Sequence, residues 1–176
     1  MEISTWNSLD VAKLIVSILT PVFVLILGII INKSVKNAER AAGLRSEIYK
    51  TIGGELNDIY CYLSFVGCWK EFSPAEVVAK KPAVDKAMYT YKPFFSQELF
   101  NTYHRFMIEA FKPFGGPGLD AKIRSEISTQ VGDRRVHYSK IWENSWEHQF
   151  TKECNDMAQQ VAYEKFMEQL ARDLKL

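Results

Sequence analysis

From Leu44 onward, apolar residues recur at steps of three and four: Leu44, Ile48, Ile52, Leu56, Ile59, Leu63 and Val66. That rhythm places them on one face of a helix. Immediately upstream the pattern is different. LIVSILTPVFVLILGIII, from Leu14 to Ile31, carries no charge; Lys13 precedes it and Asn32-Lys33 follows. The two patterns adjoin, so the chain predicts one long helix with two characters, apolar all round and then amphipathic. Gly43 and the Gly53-Gly54 pair are weak points at which it can kink.

Further along, Ser73-Pro74-Ala75-Glu76 has the form of a capping box with proline at the first helical position. It predicts a helix to about Tyr91, kinked at Pro82. Ser96-Gln97-Glu98 opens a third helix, with Leu99, Tyr103, Phe106, Met107 and Ala110 on its apolar face. Lys112-Pro113-Phe114-Gly115-Gly116-Pro117-Gly118 is the clearest loop. A short helix is expected near Ala121–Ile127, then an aromatic-rich connection. The last helix is expected from about Thr151 to Leu174, with Met157, Val161, Met167, Leu170 and Leu174 on its face. No stretch alternates in strand fashion over several residues, and there is no internal repeat. The fold class this predicts is all-α.

The uncharged run is 18 residues long. As a helix it extends about 27 Å at about 1.5 Å per residue, against a hydrocarbon core of roughly 30 Å. Val11 and Ala12 can lengthen it, and Lys13 can snorkel to the interface. A buried helix in a soluble chain of 176 residues would have to be covered on every side. A signal peptide has a shorter apolar region behind a basic segment. Here MEISTWNSLD carries Glu2 and Asp10 and no basic residue, and NKSVKNAER after the run looks like more helix. The reading is one uncleaved membrane anchor: residues 1–10 outside, 11–32 spanning, 33–176 a cytoplasmic helical domain. Lys33, Lys36, Arg40 and Arg45 follow the span and Lys13 alone precedes it. Basic flanks stay cytoplasmic, so the expected topology is N-out and C-in. Trp6 suits an outer interfacial anchor.

Charge adds one point. The formal net charge is +1. Residues 33–50 hold five basic and two acidic residues, and residues 51–176 hold 16 and 17. The positive excess sits beside the span, where it can meet anionic lipid, and the domain is not a bulk-basic nucleic-acid binder. The three cysteines, Cys61, Cys68 and Cys154, do not make a disulfide framework in a cytoplasmic domain; buried free thiols are expected.

Motifs for chemistry are sparse. None of His104, His137 and His148 has metal-ligand spacing, and there is no nucleophile elbow, Walker loop or dinucleotide fingerprint. No cofactor or metal is implied. The most site-like stretch is Asp133-Arg134-Arg135-Val136-His137-Tyr138. Arginine holds phosphate in a fork and histidine moves protons near neutral pH, so Arg134 or Arg135 with His137 is a candidate pair for RNA cleavage. The plainer alternative is that the arginines form surface ion pairs and His137 caps a helix. Trp142 and Trp146, four apart, are expected to stack on one helical face as core or subunit seam.

The layout of one N-terminal span and then a helical domain, with YKTIGGELNDIYCYLSFVGCWKE, AVDKAMYTYKPFFSQEL and a late WENSWEH, resembles the small membrane accessory protein of type VI-B CRISPR systems. The resemblance covers essentially the whole chain. It implies a divergent HEPN-like helical bundle and a role beside an RNA-guided RNase. It further implies self-assembly into a homo-oligomeric membrane pore that strengthens antiviral defence, without direct nucleic-acid binding. HEPN nucleases carry arginine, four to six residues, then histidine. The matching positions are Gln97, Glu98 and Leu99 before His104, Gln130, Val131 and Gly132 before His137, and Ile141, Trp142 and Glu143 before His148. None is arginine, so no catalytic residue carries over and the expected protein is not an enzyme.

The span adds its own hint. Ser17, Thr20, Pro21, Val24, Gly28 and Asn32 share one helical side. Small residues allow close packing in lipid, and polar ones prefer a protein or water-lined face. The side is a candidate pore-lining or packing face, which needs several copies. The competing readings are a membrane-tethered HEPN-type RNase and an anchored scaffold without a pore.

Overall fold

The computed structural model describes residues 8–112, 121–151 and 153–175. Trp6 and most of the Gly-Pro loop lie outside them. The chain divides into two compact units, Met1–Arg45 and Ser46–Leu176, and helix α1 (Ser8–Leu63) contributes to both.

In the first unit α1 runs unbroken through Pro21 and Gly43. Every residue from Lys13 to Arg40 is exposed within the chain. The segment is long and apolar enough to cross a membrane. Residues 33–45 belong with it and not with the folded domain.

The second unit is mostly helical. Its part of α1 buries Ile48, Ile52, Leu56, Ile59 and Leu63, the spacing expected; Val66 lies past the helix end and is exposed. Gly53 is buried, and an added Cβ would make only an ordinary contact there, 3.6 Å from Met167 Cε. Helix α2 (Pro74–Thr90) begins at the expected capping box: Glu76 N donates to Ser73 Oγ at 3.2 Å and Ser73 N donates to Glu76 Oε2 at 2.6 Å. Lys80 of α2 reaches Glu55 and Asp58 of α1 at 2.8 and 2.9 Å. Helix α3 (Gln97–Ala110) is capped by Ser96 and buries the expected face, with Phe100 added. Ser96 also donates through N and Oγ to Asp173, at 2.7 and 3.1 Å. This ties the start of α3 to the end of α5 (Asp156–Leu174).

The fold is mostly helical, as expected, and four details of the expectation are corrected. The fold is not purely helical: β1 (Phe111–Lys112), β2 (Lys122–Arg124) and β3 (Phe150–Thr151) form a small sheet in the order β1-β2-β3. Ile123 pairs antiparallel with Phe111 and parallel with Phe150. Strands of two or three residues are too short to show a period of two, and β2 occupies the place of the helix expected near Ala121–Ile127. Thr151 is likewise strand, so the last helix begins at Asp156. Finally, α5 buries Gln159, Ala162, Phe166, Leu170 and Leu174, while Met157 and Val161 are 75% and 45% exposed. Apolar residues on two sides of this helix allowed two phases, and Phe166 with Ala162 fixes the real one. The short helix α4 (Arg134–His137) and a 3-10 turn over Asn144–Gln149 complete the unit.

The capping box yields a prediction. Ser73→Ala should destabilise the protein by about 1 kcal/mol. The Ser73 backbone N–H holds Glu76 below its usual carboxylate range of about 4.5. A depressed carboxylate stabilises fully above that value and loses its contribution as pH falls through the folded pKa. Melting temperatures of Glu76→Gln and wild type should therefore converge as pH is lowered from 6 toward 3.

Candidate functional site

Two groups of residues were singled out by the sequence, one in each unit. On the apolar part of α1, Ser17, Thr20, Pro21, Val24, Gly28 and Asn32 share one side of an unbroken helix and are all exposed within the chain. At Gly28 no atom lies within 4 Å of an added Cβ, so a neighbouring helix has room to approach there. Pro21 has no N–H, which leaves the Ser17 carbonyl without its helical donor. The Ser17 hydroxyl does not cover that gap; it donates back to Leu14 O at 2.8 Å. Thr20 Oγ1 donates to Val16 O at 2.7 Å. Both hydroxyl protons are thus used inside the helix, and the side presents acceptors outward. Lys33, Lys36 and Arg40 are exposed, Arg45 is half-buried, and none of the four joins an ion pair among the described residues.

In the second unit Arg134, Arg135 and His137 take three different environments. Arg134 is only 1% exposed, not the surface residue anticipated. Its guanidinium carbon lies 4.0 Å from the Tyr62 ring centre and 3.7 Å from that of Phe65. Nε donates to Glu126 O at 3.1 Å, and Nη2 donates to Ser125 Oγ at 2.9 Å and Leu63 O at 3.4 Å. No carboxylate pairs with it among the described residues. Burial lowers its pKa to about 10, so it stays charged at neutral pH. Leu63 is the last residue of α1, and a cation at a helix C-terminus meets the negative end of its dipole. Phe65 adopts a left-handed backbone (φ 56°), uncommon for a residue with a side chain, and its ring packs edge-on against Trp69 at 5.1 Å.

Arg135 forms the expected surface pairs, with Asp133 at 2.6 Å and Glu147 at 3.6 Å. Its hydrogen bond to Asp133 holds that carboxyl down at about 2. His137 is exposed and ends α4; its ring meets Trp69 edge-on at 5.9 Å. Gly132 makes space for this contact, since a Cβ there would stand 3.2 Å from His137 Cδ2 and 3.3 Å from Trp69 Cη2. The buried fork and the solvent-facing imidazole do not converge on a common ligand position. Trp142 and Trp146 do meet, edge-on at 5.4 Å, but across an irregular turn with Tyr138 and not along one helix.

The cysteines are free and half-buried. Burial raises all three thiols, Cys154 to about 12 with help from its hydrogen bond to Asp156. Among the described residues no three His, Cys, Asp or Glu side chains gather as a metal site. No local pattern announces Arg134's burial; the nearest signal is the density of aromatic residues in Tyr60–Trp69, whose Tyr62 and Phe65 rings meet its guanidinium.

Comparison with known proteins returns no match to a family model, a curated protein or a solved structure.

Arg134→Ala leaves three acceptors without their donor and empties an aromatic cage. It should cost about 2–4 kcal/mol, while His137→Ala should stay within about 0.5 kcal/mol of wild type. Denaturant unfolding of the detergent-solubilised protein, followed through tryptophan fluorescence, measures both.

Proposed function

We propose that this chain is a single-pass protein of the bacterial inner membrane whose copies assemble into a pore. In this reading the N-terminus is outside and a HEPN-like domain is in the cytoplasm. The spans of several copies line the opening, and current through it depolarises the cell to strengthen RNA-targeting CRISPR immunity. The observation that carries the reading is the uncharged 18-residue stretch in an unbroken helix, with its small and polar residues gathered on one side. A single helix cannot enclose a channel, so a pore needs several copies. The basic residues that follow the span, from Lys33 to Arg45, support the orientation. The domain is assigned no catalysis. Two observations favour that over the tethered RNase: the burial of Arg134 withdraws one candidate arginine from substrate, and the other, Arg135, is exposed like His137 but already paired with Asp133 and Glu147, whereas acid–base work needs both groups within reach of one substrate. The resemblance in layout supplies the link to an RNA-guided RNase, and the partners proposed are other copies and the bilayer.

Two measurements test the proposal. The mass of the detergent-solubilised complex should be a multiple of the 20.3 kDa chain; a monomer ends the reading. Thr20→Leu and Gly28→Leu should abolish depolarisation, read with a membrane-potential dye, while leaving protein level and oligomer mass unchanged. Unchanged depolarisation in both variants removes this side of the span from the lumen. Orientation is checked separately with Lys175→Cys in a chain freed of its native cysteines. An impermeant thiol reagent should fail to label it in intact cells.

A further inference from the structure

Between α2 and α3 lies a cleft of about 640 Å3. Its α2 wall is made of Ala75, Val78, Ala79 and Pro82, spaced three and four apart and therefore on one face. Met107, Ile108 and Phe111 form the opposite wall. Ala75, Ala79, Pro82 and Ile108 are exposed, so the cleft is open to solvent along one side. Its volume falls in the range of small-molecule pockets, roughly 300–1,000 Å3.

Polar groups enter this apolar space from both helices. The Tyr103 hydroxyl, on a side chain 1% exposed, donates to Asp85 Oδ1 at 2.5 Å. Lys81 Nζ donates to Asp85 Oδ2 at 2.8 Å. A carboxylate accepts about four hydrogen bonds, so Asp85 has acceptor capacity left. A second acceptor comes from the backbone. Pro82 lies inside α2 and has no N–H, which leaves the Val78 carbonyl four residues earlier without its helical donor; both residues line the cleft. The charges of Lys81 and Asp85 already balance each other. A further anion meets Asp85, and a further cation meets Lys81. His104 and Gln149 also line the cleft, and Gln149 Oε1 is buried with no donor among the described residues. The cleft therefore offers apolar wall and spare acceptors, Asp85 and Gln149 among them.

We propose that the α2–α3 cleft binds a small uncharged ring compound that donates hydrogen bonds to the Asp85 carboxylate and the Val78 carbonyl. The site lies wholly in the second unit and holds whether or not the span lines a pore.

The test uses full-length protein in lipid nanodiscs, methyl-labelled at isoleucine and methionine and titrated with 2-naphthol. The Met107 and Ile108 methyl signals should shift and saturate. 2-Methoxynaphthalene has the same ring but no hydroxyl donor and should bind about fivefold more weakly, the worth of one ordinary hydrogen bond. Ala79→Trp, at an exposed position, should fill the cleft and abolish the shifts. Simple partitioning into the bilayer would move Ile15 and Ile18 signals and leave Met107 and Ile108 in place. The proposal is overturned by the absence of saturable shifts at Met107 and Ile108, by equal affinity for the two naphthalenes, or by unchanged binding in Ala79→Trp. A change of oligomer mass in Ala79→Trp also overturns it, since the cleft would then seat a second copy.

Discussion

An 18-residue stretch that is apolar on every side has to be covered by something. Among the described residues nothing covers Leu14 to Ile31. Ordinary surface helices avoid this by keeping a polar face toward water. Lipid or other copies would remove the side chains from water, and the helix form would then satisfy the backbone apart from the Ser17 carbonyl that Pro21 leaves open. The absence of any charge within the run, and the basic residues just after it, fit the same constraint, because charges inside hydrocarbon are costly.

In the second unit the corresponding constraint is the buried cation of Arg134. A charge taken out of water needs compensation. Here it comes from oxygens and ring faces in place of a carboxylate: Leu63 O, Glu126 O and Ser125 Oγ accept from Nε and Nη2, and the Tyr62 and Phe65 rings lie against the guanidinium, while Nη1 has no partner among the described residues. Lysine has no flat face and no fork, so it fits neither part of this environment. The arrangement fastens the last residue of α1 to the 125–134 segment, which joins β2 to α4. That makes Arg134 a structural keystone and removes it from surface chemistry, while Arg135 and His137 beside it remain on the surface.

Much of the helical framework was legible because its signals are local. Ser73 and Ser96 announce helix starts through caps that act within three residues, and Ile48 to Leu63 keep one unambiguous face. Legibility failed where partners are distant in sequence. Ile123 becomes strand because Phe111 and Phe150 flank it, and neither pairing leaves a trace within three residues. In α5, Gln159 is buried because its amide donates to Glu109 O and Arg124 O, at 3.0 and 2.6 Å. A glutamine in a sequence does not advertise that. Met157 looked like core by composition and is surface by phase. At the candidate site, the Ser17–Asn32 residues fall on one side of α1 because helical spacing alone places them there. The sequence could not foresee that Arg134 turns inward and His137 outward, because α4 is a single turn whose placement depends on Trp69 and Phe65.

Pro21 and Pro82 show one covalent fact in two settings. Each interrupts the amide ladder without ending its helix and frees the carbonyl four residues back. In α2 the freed Val78 carbonyl borders an open cleft, where water or a ligand can reach it at little cost. In the span the freed Ser17 carbonyl has no such neighbour. The hydroxyls nearest to it, on Ser17 and Thr20, are already committed to Leu14 and Val16. An unpaired carbonyl facing lipid costs several kcal/mol, whereas one facing water or a donor from an adjacent helix costs little. If α1 crosses a bilayer, the backbone that Pro21 leaves open, more than the hydroxyls of Ser17 and Thr20, would turn the Ser17–Asn32 side away from lipid.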